Sequence, residues 1–85
     1  MRVSVLDAQH TLYEGIISMA VLPAMGGEVS FMDDHEPIFV ALDKGYVRFV
    51  PTAQNVTGAS EETRPIFIRK GVARMKNNEL VILVE

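Results

Sequence analysis

Hydrophobic and polar residues alternate along most of this chain, or gather in short apolar runs that end at turn residues. The runs recur about every ten residues, a spacing typical of a β-sandwich or barrel. No window has the period of a well-formed amphipathic helix. The pattern predicts an all-β fold, a small antiparallel β-sandwich of about 8–10 short strands, with strands near residues 2–6, 11–22, 28–32, 38–42, 46–50, 66–70, 72–76 and 80–84.

Turn residues predict how these strands connect. Asn77 and Asn78 tolerate the positive φ of a two-residue hairpin turn, and segment 43–45 ends in a glycine that supplies a left-handed residue. Both turns predict that the strands they join are antiparallel neighbours. Gly15 predicts a bulge in the long second strand. The polar segment 51–65 has a proline at each end and predicts a long, mobile hairpin loop.

Length and composition limit the architecture and the kinds of partner. A chain of 85 residues builds one hydrophobic core, so residues 1–85 are predicted to form a single domain. It has no cysteine, which excludes disulfides and thiolate metal sites. The net charge of −3 with no basic stripe argues against a nucleic-acid partner. No apolar run approaches the roughly 20 residues that cross a bilayer, so we expect no direct membrane insertion.

The candidate chemistry lies in a run of ionisable residues, Asp33, Asp34, His35 and Glu36. Consecutive residues of an extended loop point to alternating sides, so at most two of them converge on one metal ion. A general acid and base pair needs one desolvated carboxyl group, and these acids look solvated. A metal-dependent or ligand-binding small β-domain that uses this loop stays open as an alternative, and a solvated turn is the simplest explanation.

A further hypothesis makes the same loop part of a protein interface. Phe31 and Met32 directly precede the acids, and small interfaces place an apolar anchor inside a polar rim. This hypothesis needs no bound ion and no reaction.

Several motifs occur in order at fixed spacing: Tyr13-Glu14-Gly15, Gly27-Glu28, His35-Glu36-Pro37, Leu42 with Gly45, Val47 and Arg48, and the final segment 66–84. Together they resemble the N-terminal β-sandwich domain of the epsilon subunit of F-type ATP synthases. The family typically has an aromatic-x-Gly element, then Gly-Glu-x-Gly-x-x-Pro-x-His-x-Pro, then Leu-x-x-Gly-x-x-Arg. The resemblance covers essentially the whole chain.

Some positions depart from the family pattern. Ser30 stands at a usual glycine, Asp33 and Asp34 replace a usual Pro-Gly, and Lys70 replaces the first glycine of a pair. These changes concern turn geometry more than the fold. The family usually continues into two C-terminal helices that can inhibit ATP hydrolysis, whereas this sequence ends at Glu85. We therefore expect a divergent member in which the helical hairpin is lacking, either naturally or because it was removed; if it is naturally absent, that form of inhibition cannot occur.

The resemblance implies a non-catalytic rotor subunit of the central stalk. Such a subunit couples the gamma subunit to the membrane rotor ring in proton- or sodium-driven ATP synthesis or hydrolysis, at the cytoplasmic face of the bacterial inner membrane. It implies no cofactor, no metal and no catalytic residue. The expected contact residues are Gly27, Glu28, Phe31 and Met32 toward the rotor ring, and His35, Pro37 and Met75 toward the gamma subunit.

Overall fold

The computed structural model describes residues 1–52 and 64–85, and this part of the chain forms eight β-strands and no helix. The strands are β1 Arg2–Leu6, β2 Thr11–Ala24, β3 Gly27–Met32, β4 Ile38–Leu42, β5 Gly45–Pro51, β6 Ile66–Ile68, β7 Gly71–Lys76 and β8 Glu79–Val84. The predicted all-β fold is confirmed. β2 extends to Ala24 instead of Leu22, because Pro23 and Ala24 still pair with β3.

β2 is the strand to which both layers of the sandwich attach. Its first half pairs with β1, from Ile16 opposite Arg2 to Thr11 opposite Leu6. Its second half pairs with β3 along one edge and with β5 along the other. Ala24, at its end, also pairs with β4. This 14-residue strand therefore passes from one layer into the other.

The strand pairings close on themselves. β1 pairs with β8, β8 with β7, β7 with β4 and β4 with β2, which pairs again with β1. β1 and β8 run parallel, a departure from the wholly antiparallel sandwich that the sequence predicts. The two strands are far apart in the chain, so no tight hairpin fixes their relative direction.

The core consists of the apolar side chains that point inward from this folded sheet. β7 shows how strand alternation selects them, since Ala73 and Met75 are fully buried while Arg74 and Lys76 are exposed. No polar or charged side chain is fully buried among the described residues. The buried residues are Met1, Val3, Val5, Ile17, Ala20, Leu22, Phe31, Leu42, Val47, Phe49, Ile68, Ala73, Met75, Leu80 and Ile82.

β2 is irregular at Leu12, opposite β1, and at Ser18, opposite β5, but not at Gly15, so that prediction is wrong. The register between β2 and β5 shifts around Ser18, whose hydroxyl donates a hydrogen bond to the Val50 carbonyl oxygen at 3.2 Å. A side chain at position 15 would instead crowd the neighbouring tyrosine. A Cβ there would lie 3.0 Å from the Tyr13 hydroxyl oxygen, because the Tyr13 ring lies over the glycine and stacks on Phe49 with centroids 5.1 Å apart.

The two predicted turns have different outcomes. Asn77 and Asn78 take positive φ values of 53° and 58° and join antiparallel neighbours, β7 and β8, as predicted. The turn before Gly45 joins β4 and β5, but β2 lies between these strands, so the predicted pairing is wrong. Asp43 donates its N–H to the Pro23 carbonyl oxygen at 2.7 Å, and a Cβ on Gly45 would lie 2.8 Å from the Pro23 Cβ. Glycine lets the chain pass close beside β2.

The predicted loop 51–65 falls mainly on residues 53–63, which lie outside the described residues. The strands on either side of it, β5 and β6, are antiparallel neighbours, with Tyr46 opposite Phe67. This pairing is what a hairpin connection between them requires.

Gly71 is predicted to be essential for the stability of the sandwich. A Cβ at Gly71 would lie 2.5 Å from the Leu83 carbonyl oxygen, which belongs to the backbone and cannot move aside without disturbing β8. We expect Gly71→Ala to lower the free energy of unfolding by roughly 1–3 kcal/mol, measured by urea denaturation. The exposed neighbour is the control, because Lys70→Ala should change it by less than about 0.5 kcal/mol. Equal denaturation midpoints for the two variants would contradict this explanation of the glycine.

A second prediction concerns the pH dependence of stability. The Asp7 carboxylate accepts the N–H groups of Gln9 at 2.8 Å and His10 at 2.6 Å. These hydrogen bonds, with Gln9 contributing most, lower the pKa of Asp7 below 3.8. Their stabilisation is therefore present above the pKa of the unfolded chain and is lost as the pH falls through the lower pKa of the folded state.

We expect Asp7→Asn to flatten the decline of unfolding free energy in acid, below about pH 4. An NMR titration of the wild-type chain should give a pKa for Asp7 below 3.8. A value at or above 3.8 would rule out this turn as a source of the pH dependence.

Candidate partner-binding surface

The turn between β2 and β3 carries an exposed methionine. Met25 and Gly26 form the turn, and Gly26 and Gly27 have φ values of 95° and 137°, which glycine adopts far more readily than other residues. The Met25 side chain is 66% exposed. The two glycines thus create a projecting turn with an apolar anchor that the sequence pattern did not single out.

Glu28 and Arg48 form an ion pair beside this turn. Arg48 Nη2 lies 3.2 Å from Glu28 Oε2, and both side chains are exposed. Because Glu28 pairs with Pro23 and Arg48 with Val21, the ion pair joins β3 to β5 across the outer face of β2. An exposed pair contributes only about 0–1 kcal/mol to stability. Either charge is therefore free to pair with a charge on another protein at little cost to the fold.

We define the turn surface as Met25, Gly26, Gly27, Glu28 and Arg48. Its position is set by β4, since the Met25 N–H donates to the Ala41 carbonyl oxygen at 3.3 Å. The turn surface therefore combines one apolar side chain, one charge of each sign and a tight backbone turn on an ordered support.

The acidic loop, residues 33–37, is attached to the rest of the domain at both of its first two residues. The Asp33 carboxylate accepts a hydrogen bond from the Met1 ammonium group. The Asp34 N–H donates to Asn78 Oδ1 at 2.8 Å. Asp34 has a φ of 61°, a left-handed conformation that aspartate adopts more readily than most residues other than glycine.

His35 is exposed but packed on one side. Its ring meets the edge of Phe31 with centroids 4.9 Å apart and planes at 65°. Its Nδ1 lies 2.9 Å from the Glu36 carbonyl oxygen, so a protonated Nδ1 donates to that oxygen. The side chain covers the end of the core and leaves the rest of the imidazole available to solvent.

The structure corrects two of the expected contact residues. Phe31 and Met75 are fully buried in the core and cannot serve as surface anchors. Both sit at inward positions of alternating strands, where Phe31 is followed by the exposed Met32. Residue type alone favoured all three as anchors, and the strand face decides between them.

The remaining expected contact residues form two separate groups. Gly27 and Glu28 start β3, whereas Met32 ends it beside the acidic loop. Five residue steps of a strand separate Glu28 from Asp33, a distance of roughly 17 Å. Met32, expected on the rotor-ring side with Gly27 and Glu28, therefore lies nearer to His35 and Pro37.

No group of three or more histidine and carboxylate side chains lies close enough to hold a metal ion in the described part of the chain. Within the acidic loop, Asp33 is engaged by the Met1 ammonium and His35 by Phe31 and Glu36. Residues 1–52 and 64–85 also contain no helix that is long and apolar enough to cross a membrane.

One further exposed feature was missed from the sequence. A groove of about 560 Å³ runs beside the acidic loop, lined by Pro37, Ile38, Phe39, Arg74, Met75 and Lys76. Phe39 is 70% exposed. It stands in the apolar run IFVAL, in which every residue type is common in hydrophobic cores. Leu42 is buried and points inward. Phe39 lies an odd number of residues away, so it points to the opposite, outer face.

The whole chain matches a known family. Residues 1–85 match the family model of the ATP synthase, Delta/Epsilon chain, beta-sandwich domain. The chain belongs to this family. The glycine of its aromatic-x-Gly motif accommodates the Tyr13 ring, and the ion pair between Glu28 and Arg48 connects the Gly-Glu motif with the later Leu-x-x-Gly-x-x-Arg motif.

Curated proteins similar to this chain are ATP synthase epsilon chains. That of Lawsonia intracellularis is 25% identical over 85 residues, which are 100% of this chain and 58% of the relative. That of Thioalkalivibrio sulfidiphilus is 30% identical over 83 residues, 98% of this chain and 55% of the relative. The chloroplastic epsilon chain of Porphyra purpurea is 26% identical over 84 residues, 99% and 57% respectively. The chain thus spans a little over half the length of these relatives.

A solved structure shares the fold. A chain in the cryo-EM structure of the central stalk and c-ring of the Tetrahymena thermophila mitochondrial ATP synthase superimposes with a TM-score of 0.73 at 14% identity. The match covers 99% of this chain and 62% of the other. At this identity the similarity supports the sandwich fold assigned by the family.

The adjacent residues Phe31 and Met32 provide a test of which side chains are structural. Phe31→Ala should lower the free energy of unfolding by about 3–5 kcal/mol, because it leaves a cavity in the core. Met32→Ala should change it by less than about 0.5 kcal/mol, because the side chain is 58% exposed. Guanidinium denaturation of both variants measures the difference. Similar losses in the two variants would contradict the strand orientation described here.

Proposed function

We propose that this chain is the sandwich domain of the epsilon subunit in the central stalk of an F-type ATP synthase. In this role it couples the gamma subunit to the membrane rotor ring during proton- or sodium-driven ATP synthesis or hydrolysis. The observation that carries the proposal is the family match over residues 1–85. The names of the curated relatives support it.

The coupling role is mechanical and not catalytic. In the described residues the ionisable groups of the turn surface and the acidic loop lie at the surface. Their contacts are an exposed ion pair, a contact between His35 Nδ1 and the Glu36 carbonyl oxygen, and the bond from the Met1 ammonium to Asp33. A chain of this kind transmits force through packing and surface contacts, and it needs no cofactor.

The turn surface is the proposed contact with the rotor ring. The exposed Met25 supplies apolar contact area, and the Gly26-Gly27 backbone allows close approach. Glu28 and Arg48 can each pair with an opposite charge on the loops of the rotor ring, which orients the contact more than it strengthens it. The closed sandwich behind the turn provides a rigid support.

The acidic loop is the proposed contact with the gamma subunit. His35 and Pro37 are exposed there, and Met32 adds an exposed apolar side chain at the end of β3. Separation of the two contacts along β3 lets one domain touch both partners at once. In this proposal the domain lies at the cytoplasmic face of a bacterial inner membrane through the complex, without insertion into the bilayer.

The two contacts are tested by measuring association with purified gamma subunit and with purified rotor ring separately. Met25→Ser should weaken binding to the rotor ring about tenfold, because it removes a central apolar anchor. Glu28→Lys should weaken it a few fold, and more strongly at low salt. Neither change should affect binding to the gamma subunit, whereas His35→Ala should weaken only that association.

Glu14→Lys is the matched control for the charge reversal. Glu14 is exposed on β2 and pairs with Ser4 of β1, away from both contacts, so its reversal should leave both affinities unchanged. Circular dichroism and thermal unfolding establish that each variant keeps the fold. Wild-type affinities in all variants, or no binding of the wild-type chain to either partner, would refute the proposed role.

A further inference from the structure

We infer that Asn78, in the turn between β7 and β8, is a positioning residue for the acidic loop and thereby for His35. The inference rests on the proposed function where it concerns the gamma subunit, and on the geometry alone where it concerns the loop. Asn78 lies within the final segment 66–84 that resembles the family, but it is not among the expected contact residues. Its role follows from three observations at one end of the domain.

The first observation is that Asn78 joins three separate segments. Its Oδ1 accepts the N–H of Asp34 at 2.8 Å. Its backbone carbonyl oxygen accepts the N–H of Arg2 at 3.2 Å. The turn itself connects β7 to β8. One residue therefore links the acidic loop, the start of β1 and the last hairpin.

The second observation is the backbone conformation at both ends of this link. Asn78 has a φ of 58° and Asp34 a φ of 61°, so both are left-handed. Glycine would satisfy this conformation at position 78, but it has no side chain to accept the Asp34 N–H. Asparagine combines tolerance of the left-handed region with a side-chain acceptor, and both properties are used here.

The third observation is that the loop has little packing of its own. Every residue of the segment 33–37 is exposed. The hydrogen bond of the His35 side chain is local, to the Glu36 carbonyl oxygen, and its ring rests on Phe31. The hydrogen bond from the Asp34 backbone N–H to the Asn78 side-chain oxygen joins residues 44 positions apart in the chain. It sets the position of the loop relative to the β7–β8 turn.

The consequence is that His35 is held in place from outside its own loop. Loss of the Asn78 acceptor frees the Asp34 N–H to water and lets the next residue, His35, move away from the edge of Phe31. The contact proposed for the gamma subunit then has to order the loop on binding, and this ordering lowers the affinity. Asn78 thus acts through Asp34 and not by touching the partner.

The experiment compares Asn78→Gly with Asn77→Gly in the 85-residue chain. Both residues have left-handed backbones, so glycine preserves the turn in each case, but only Asn78 supplies the acceptor for Asp34. We expect the Asp34 amide of Asn78→Gly to exchange with solvent about two- to tenfold faster, the range for one hydrogen bond. The His35 ring protons should also lose part of the shift caused by Phe31.

The Asn77→Gly chain should retain wild-type exchange at Asp34 and wild-type His35 shifts. The His10 amide, which is bonded to Asp7 Oδ1, is an internal reference and should not change in either variant. Unchanged exchange and shifts in Asn78→Gly would overturn the inference. Equal changes in both variants would also overturn it, because they would trace the effect to the turn backbone.

Binding to purified gamma subunit then tests the functional part. Asn78→Gly should weaken it about two- to tenfold, with Asn77→Gly unchanged. A loosened loop with wild-type affinity would overturn the role of Asn78 in partner binding. Failure of the wild-type chain to bind would refute the proposed function, while the exchange measurement would still decide the link between Asn78 and the loop.

Discussion

β2 forms hydrogen bonds along both of its edges, and both layers of the sandwich depend on that pairing. β1 occupies its first half, while β3 and β5 flank its second half. Its last residue reaches β4, which closes the circuit of strands. Because the strand is shared, a local disturbance in β2 would affect both layers. The domain is therefore expected to respond to force as one body.

Close approaches of neighbouring atoms around β2 and β8 explain three glycines better than turn propensity does. Gly45 passes beside Pro23, and Gly71 faces the Leu83 carbonyl oxygen. Gly15 accommodates an aromatic ring from its own strand. In each case the absence of a side chain leaves room for a neighbouring group. That group is remote in sequence for Gly45 and Gly71, and it lies on the same face of the strand for Gly15. Lys70, beside Gly71, is exposed and bears no such restriction.

The surface of the domain divides along β3. The turn surface relies on a glycine turn with an exposed methionine and an exposed ion pair, whereas the acidic loop relies on contacts with the chain start and the β7–β8 turn. The first is held by its own glycine conformation and a hydrogen bond to β4, and the second mainly by the chain start and the β7–β8 turn. This difference makes the acidic loop the part whose position is most open to change by distant substitutions.

Alternation of polar and apolar residues in the sequence determined the strands, and the Asn77-Asn78 pair determined the β7–β8 hairpin. The order and spacing of short motifs pointed to the family. All three depend on residues that are close together in the chain. Which residues face a partner was decided by the tertiary structure. Phe31 and Met75 went inside, and Met25 and Phe39 outside, because burial depends on which face of a strand meets the opposite layer. Likewise, the parallel pairing of β1 with β8 and the insertion of β2 between β4 and β5 join segments distant in sequence, and no local pattern encodes such contacts.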